Sequence, residues 1–546
     1  MGEDVTNMEE MELIRQIEDS LNKGTYDELL CVSELKLKNL FERYIPKDIL
    51  VLINKTILFH NYNLTCKEMD YSNYQKDKHM SLRLIMSLPQ YYYENVLSYK
   101  SNRIKHYDVV MDELIQIVME LQSIYYYYPC RYQNDFVLDD ENRFYMNYFK
   151  SYYFDYPYME LKVFSDFFKS NFKLCGDVLG DDEFEDSLRL MLCLENIDIN
   201  LKQDKYLPNL LLCKDSKKII NSKIINYLYP INVVKKICYN NKINFADFMK
   251  NYAFDLDDRN KKGVKLIDIL TKSKDKRFLF KIPEYVFFPR NYFWRHKLYD
   301  LVWRSRDISE KLENGKTIKS EMHESVLGDV LKKYFGENNV YTNVYLKRIG
   351  REYAEKDFVV LYQNKVVSFE AKSNLLPEPE EKDFDNVESI KSKCEKCIKK
   401  AYDQSLEVKR KVLGGTAIFY DNSSKKNKVV LDLRNEHIEE CIQVVVMYEE
   451  YLGIETNIEY IFPALYFKCN TGKYSNEIVR TLEYILADTV GKGRFDSFID
   501  YVRKRKNGYG LVDVQSGEEI KVYNLYKRFP FLFEKNYGDI GISVHI

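Results

Sequence analysis

The stretch from residue 355 to residue 373 constrains the fold of this 546-residue chain more than any other. Two runs of alternating apolar and polar residues, 357–362 and 365–373, flank the pair Gln363-Asn364. Two residues suffice for a tight hairpin turn, and asparagine tolerates the positive φ that such turns require. The sequence therefore predicts an antiparallel β-hairpin here.

In that register Tyr362 lies opposite Lys365, and Asp357 lies opposite Glu370. Because side chains alternate along a strand, the apolar side chains share one face, which is a core face: Phe358, Val360, Val367, Phe369 and Ala371. The other face carries Asp357, Ser368, Glu370 and Lys372. Two carboxylates about 5 Å apart across a hairpin repel each other. A divalent cation, which prefers oxygen ligands, would compensate for this repulsion.

Asp357 followed by Glu370-Ala371-Lys372 on a predicted hairpin resembles the PD-(D/E)XK nuclease superfamily, which has the restriction-endonuclease-like fold. Lys356 stands where the family has a proline. The resemblance covers residues 316–435. It implies a Mg²⁺-dependent phosphodiesterase, with Mn²⁺ as an alternative ion. Asp357, Glu370 and the Ala371 carbonyl would bind the metal, and Lys372 would orient the attacking water and stabilise developing negative charge.

Two residues on predicted helices are further catalytic candidates. Glu324 lies in line with the apolar stripe of a helix at 318–335, so it either points into the metal site, as the resemblance implies, or simply complements the helix dipole in the first turn. Gln404 lies on the apolar stripe of a helix at 386–412. The resemblance implies a place near the metal, and the alternative is an amide that hydrogen-bonds backbone groups.

The periodicity predicts an α+β multidomain protein. The core at 316–435 reads as helix, three strands, helix and strand, with strands outside the hairpin at 340–346, 414–420 and 428–433. The region 436–546 is predicted as a small C-terminal α/β extension. It reads as helical from His437, then as a strand at 458–467, helices at 476–490 and 495–504, and short strands and turns from 511.

For residues 1–280, the apolar periodicity predicts a helical, tyrosine-rich domain. We expect this domain to recognise substrate, a protein partner or a second copy of the chain. Its tyrosine clusters, at 91–93 and 125–128, either stack on bases or fill an aromatic core, and we favour the core. Residues 281–315 form a connecting segment. Its aromatic and basic run at 293–297 suits either a phosphate backbone or the docking of a domain.

Charge and cysteine content restrict the possible partners and compartment. The chain has 82 basic and 84 acidic residues, so any attraction for nucleic acid must be local. Its eleven cysteines are scattered without a disulfide framework, which is typical of a reducing cytoplasm. No long uncharged apolar run is present in the sequence, so we expect no membrane association.

These observations favour a nuclease that acts on DNA rather than RNA. By analogy with similar architectures, a role in prokaryotic antiviral defence is plausible. Two alternatives remain open. One is a non-catalytic nucleic-acid-binding module that retains the fold. The other is a protein-interaction scaffold whose hairpin charges form surface salt bridges.

The lysine-rich face of the helix at 386–412 should supply affinity rather than chemistry. Reversing Lys393, Lys396 and Lys400 to glutamate should weaken nucleic-acid binding and flatten its salt dependence, because fewer counterions are released. Binding should be measured against salt concentration, with metal binding as the control that stays nearly unchanged. An unchanged salt slope would mean that this face is only solvated.

Overall fold

A computed structural model describes much of the chain and divides it into two compact units, Met1–Asp307 and Ile308–Ile546. The described residues are 2–66, 81–96, 98–133, 136–138, 142, 146, 149, 172–192, 228–257, 263–272, 275–288, 297–298, 301–302, 317–347, 353–372, 400–421, 428–447, 479–504 and 519–534. The predicted strand at 458–467, the run at 293–296, and residues 386–399 with four helix lysines lie outside them.

The described part of the N-terminal unit is largely helical. Its helices are α1 (Gly2–Lys23), α2 (Tyr26–Glu42), α3 (Pro46–Cys66), α4 (Leu82–Asn95), α5 (Tyr107–Tyr126), α6 (Phe172–Leu179), α7 (Ile231–Asn240), α8 (Phe245–Tyr252) and α9 (Leu266–Lys272), and residues 184–192 are also helical. The tyrosines of both clusters are mostly buried, and Tyr92 and Tyr125 are fully so. These clusters therefore belong to the core and are not exposed stacking surfaces.

A small sheet in the N-terminal unit was not predicted. Its described strands are β1 (Leu228–Pro230), β2 (Ala253–Asp255), β3 (Leu279–Ile282) and β4 (Tyr285–Phe287), in the order β1-β4-β3-β2. Each strand has only three or four residues, too few for a period of two to be recognised in the sequence. The hairpin β3–β4 also shows that residues 281–287, assigned to the connecting segment, belong to this sheet.

The C-terminal unit is mixed α/β. Its described elements are α10 (Ile318–Phe335), β5 (Val340–Lys347), β6 (Tyr353–Tyr362), β7 (Lys365–Lys372), α11 (Lys400–Leu413), β8 (Ile418–Tyr420), β9 (Val429–Asp432), β10 (Glu440–Met447), α12 (Val479–Asp488), α13 (Phe495–Lys504) and α14 (Glu519–Arg528). None of the helices that the structure describes, in either unit, is both long and apolar enough to cross a membrane.

Six described strands of this unit form one sheet, in the order β10-β7-β6-β5-β8-β9. Strands β5, β6 and β7 are an antiparallel meander, and β10 pairs in parallel with β7. Two expectations were wrong here. The residues after His437 form a strand and not a helix, because an apolar run buried on both faces shows no strand alternation. Helix α14 occupies part of the region from 511 that was predicted as short strands and turns.

The predicted hairpin turn and its pairing are present. Gln363 and Asn364 have φ values of 49° and 57°, as a two-residue turn of this kind requires. The pairing runs from Tyr362–Lys365 to Phe358–Phe369 in the expected register. This register determines the face of the sheet on which each side chain of β6 and β7 near the turn lies.

Both faces of the sheet are buried along most of β10, β7 and β6. On one face, α10, α12 and α13 pack over Phe358, Phe369 and Val444. On the other face, α11 contributes Val408 and Val412 to a second cluster that includes Val359, Val366 and Cys441. Residues 316–435 and the described residues beyond them therefore share one core.

Phe335 is the aromatic centre of the first of these clusters. It is almost fully buried, and its ring lies 5.5 Å from Tyr362 and 5.9 Å from Phe495 between centroids. Phe335→Ala should lower the free energy of unfolding by about 3–5 kcal/mol, because burial is lost and a cavity remains. Urea unfolding of the full chain measures this. Phe531→Ala, at an exposed position, is the matched control and should change stability little. Equal effects of the two substitutions would contradict the shared core.

Candidate functional site

The site lies where the pairing of β6 with β7 ends. Asp357 and Glu370 are the next residues beyond the last pair, Phe358–Phe369. The Asp357 carboxylate turns to the neighbouring strand, where its Oδ2 accepts a hydrogen bond of 2.7 Å from the backbone N–H of Ala371. A side chain thus replaces the backbone ladder at this point and fixes the orientation of one carboxylate.

Lys372 holds the two carboxylates together. Its Nζ lies 3.3 Å from Glu370 Oε2 and 3.7 Å from Asp357 Oδ2. The side chain of Glu370 is only 1 % exposed, whereas those of Asp357 and Lys372 are 15 % and 18 % exposed. The structure therefore brings three of the predicted site residues into contact, with Glu370 innermost.

The pKa values of the site reflect burial and like charge. Burial, and then the charge of Asp357, raise the pKa of Glu370 to about 7. Burial lowers the pKa of Lys372, but Asp357 and Glu370 together outweigh it, so its pKa is raised above the ordinary value. At neutral pH Lys372 is therefore an ammonium group, and Glu370 is close to its titration midpoint.

Lys356, immediately before Asp357, is a second cation that acts on the site. Its side chain is fully buried, and its Nζ donates a 2.7 Å hydrogen bond to the Gln404 carbonyl and lies 3.6 Å from Glu407 Oε2. Its charge also lowers the pKa of Glu370. Sequence reasoning noted Lys356 only as the replacement of a proline. A lysine in a buried strand was the signal that could have identified it.

The other two predicted catalytic residues, Gln404 and Glu324, are linked to the site by a backbone hydrogen bond and by charge, respectively. Gln404 is half-buried on α11, and its backbone carbonyl is the group that receives Lys356. Glu324 is half-buried on α10, and its charge contributes to the raised pKa of Lys372. Glu324 is thus close enough to act on the site electrostatically.

His323 was not identified from the sequence. It is fully buried on α10, and its Nε2 lies 2.9 Å from the Val446 carbonyl. A carbonyl only accepts, so Nε2 carries the proton and the tautomer is fixed. Burial lowers the pKa of His323 to about 4, so the ring is neutral at physiological pH. Its position next to Glu324 was the only available signal.

The donor set suits a hard divalent cation. When both are ionised, Asp357 and Glu370 carry two negative charges against the single positive charge of the Lys372 ammonium, and carboxylate oxygens are ligands that hard divalent cations prefer. No group of three or more His, Cys, Asp or Glu side chains in the described ranges is arranged to hold a metal. Further ligands would therefore have to be the Ala371 carbonyl and water.

No protein-family model, curated protein or solved structure matches the chain. The geometry of the site is therefore the basis on which a function can be inferred.

Glu370 should make stability depend on pH. Its pKa is about 7 in the folded protein against 4.5 for an ordinary glutamate, so the folded state binds the proton more tightly. The contribution to stability is full below the lower pKa and is lost as pH rises through the upper one, at about 1.4 kcal/mol per pKa unit. Glu370→Gln should remove this loss, so its advantage over the wild type should grow as pH rises across that window.

Urea unfolding of the full chain at a series of pH values, with chelator present, measures this effect. Glu337→Gln, an exposed position in the same unit, is the control and should run parallel to the wild type. Parallel curves for Glu370→Gln and the wild type would mean that Glu370 is not perturbed.

Proposed function

We propose that the chain is a metal-dependent nuclease that hydrolyses phosphodiester bonds, with DNA as the favoured substrate. One observation carries this proposal: Asp357, Glu370 and Lys372 converge where the hairpin pairing ends, and Glu370 is almost completely buried. A charged cluster of this kind is costly to stability, and such clusters concentrate at functional sites.

Asp357, Glu370 and the Ala371 carbonyl would hold Mg²⁺, with Mn²⁺ as an alternative. When bound, the ion would supply Lewis acidity and lower the pKa of coordinated water. The hydrogen bond from the Ala371 N–H holds Asp357 in place, so its second carboxylate oxygen is directed by the backbone. Such pre-orientation reduces the entropy lost on binding an ion.

Lys372 would act as a proton donor and electrostatic stabiliser. Its raised pKa keeps it protonated at neutral pH, so it cannot serve as the general base in this state. An ammonium group beside the scissile phosphate can orient the attacking water and stabilise negative charge that develops on phosphate oxygens. Glu324 would assist by keeping Lys372 protonated.

Local positive charge would bring the substrate to the site. The end of α11 carries Lys409, Arg410 and Lys411, and Arg410 is exposed. Basic side chains of this kind attract the phosphates of a nucleic acid whatever its base sequence. Helix α11 is also tied to β6 through Lys356, so the basic end and the charged site belong to one connected structure.

The two alternative functions make different demands on the same residues. In a scaffold stabilised by surface salt bridges, both charged side chains of each bridge would be exposed to solvent. The Glu370 side chain is only 1 % exposed. This observation favours a functional site over a surface ion pair. A non-catalytic binding module would keep the same geometry, and only an assay of cleavage distinguishes it.

The decisive experiment is cleavage of single- and double-stranded DNA and RNA, with Mg²⁺ or Mn²⁺ against chelator. Wild type should cleave only with metal. Lys372→Ala should reduce turnover at saturating substrate by about 100-fold or more, since one stabilising donor is typically worth that much. Substrate affinity should be roughly preserved.

Lys365→Ala is the matched control. Lys365 lies at the other end of β7 and pairs with Glu439 and Asp496, both largely exposed. This variant should cleave like the wild type. Metal-independent binding of nucleic acid without cleavage would identify a binding module in place of a nuclease. The absence of both binding and cleavage would also overturn the proposal.

A further inference from the structure

Three buried oxygens near the site have no hydrogen-bond partner in the part of the chain that the structure describes. They are Glu370 Oε1, Ser368 Oγ and Gln443 Oε1. Ser368 and Gln443 are fully buried, and Glu370 is 1 % exposed. A buried polar group without a partner costs roughly 1–3 kcal/mol, so three together require a physical explanation.

These oxygens belong to neighbouring positions on one face of the sheet. Gln443 on β10 pairs directly with Ser368 on β7, and Glu370 is two residues further along β7. Adjacent strands are about 4.8 Å apart, and alternate residues on a strand are about 6.6 Å apart. The pair before them, Cys441 and Val366, lies in the cluster beneath α11, so this face is covered by that helix.

The hydrogen-bonding capacities of the three groups do not satisfy one another. The Gln443 Nε2 donates to the Cys441 carbonyl at 3.2 Å and to Cys441 Sγ at 3.6 Å, and Oε1 of the same amide can only accept. Ionised Glu370 also only accepts, and Ser368 has a single proton to donate. A direct bond from Ser368 to either acceptor would leave the other unsatisfied.

We infer that Ser368 and Gln443 hold one ordered water molecule against Glu370 Oε1, and that they are positioning residues for this carboxylate. A water donates twice, to Glu370 and to Gln443, and accepts once, from Ser368. Three partners is the usual number for a buried water. The fit between donors and acceptors is then complete.

Water suits this position better than a cation does. Lys372 contacts Glu370 from one side, and the charge of Lys356 also acts on it. A further positive charge beneath α11 would be repelled by both lysines, whereas a neutral donor is not. The water would fix Oε1 toward the interior and leave Oε2, the oxygen that contacts Lys372, directed at the site.

A high-resolution crystal structure of the full chain tests the inference without reference to activity. We expect density for one water within hydrogen-bonding distance of all three oxygens. Direct bonds among the side chains with no density between them would overturn the inference. So would a cation, recognised by an anomalous signal or by oxygen contacts shorter than hydrogen bonds.

The positioning role, which rests on the proposed function, is tested by calorimetric titration of Mn²⁺ into the full chain. Ser368→Ala and Gln443→Leu should each weaken Mn²⁺ binding about 10- to 100-fold, as the loss of outer-shell partners typically does. Ser368→Thr retains the hydroxyl and should restore most of the affinity. Unchanged affinity in both variants would exclude the positioning role.

Val359→Ala is the control for cavity formation. Val359 pairs with Ser368 from β6 and is buried, but it carries no polar atom in its side chain. This variant should lose stability and keep its affinity for Mn²⁺. If the wild type binds no Mn²⁺, the proposed function fails, while the crystallographic density still decides whether the water is present.

Discussion

The repulsion between the carboxylate of the buried Glu370 and that of the half-buried Asp357 is the interaction on which the site in the C-terminal unit depends. Burial disfavours the charge on Glu370, and the neighbouring Asp357 adds to that effect. Lys372 offsets both by contacting the two carboxylates. Removing the Lys372 ammonium would leave the two carboxylates uncompensated, and breaking a buried charge pair in this way typically costs about 3–5 kcal/mol. The fold must therefore hold all three groups in one place.

A local reversal of the side-chain alternation on β5 and β6 allows the fold to do so. Val340 and Val344 on β5 have the same parity, yet they belong to the cores on opposite faces of the sheet. Asn343, with a φ of 50°, lies between them and reverses the alternation. Lys356 pairs with Val344 and reaches α11, whereas Phe358 packs beneath α10. Asp357 occupies the point of reversal, which explains why its side chain can meet the backbone of β7.

The sequence was sufficient to predict those features that depend on residues close together in the chain. The turn at Gln363-Asn364 sets the hairpin register, and the helix at 318–335 was predicted with the bounds that the structure gives. It was insufficient where distant strands pair. Strand β10 reads as an apolar run, and only its parallel pairing with β7 shows that Gln443 lies beside Ser368. Ser368 was correctly placed on the face of Glu370, but that face was expected to be polar and is buried.

Under the proposed function, the charge of the whole neighbourhood would favour a divalent cation at the site. Lys356 and Lys372 face Asp357, Glu370, Glu407 and Glu324, so two lysines are set against four carboxylates. Two negative charges are left over when all four are ionised. Burial, and then the neighbouring charge of Asp357, raise the pKa of Glu370 to about 7, and protonation of this carboxylate removes one of the charges. A divalent cation would remove both and leave every carboxylate ionised. Under the proposed function, proton and metal would therefore compete for the same carboxylate, and the charges of Lys356 and Lys372 would limit how strongly either binds.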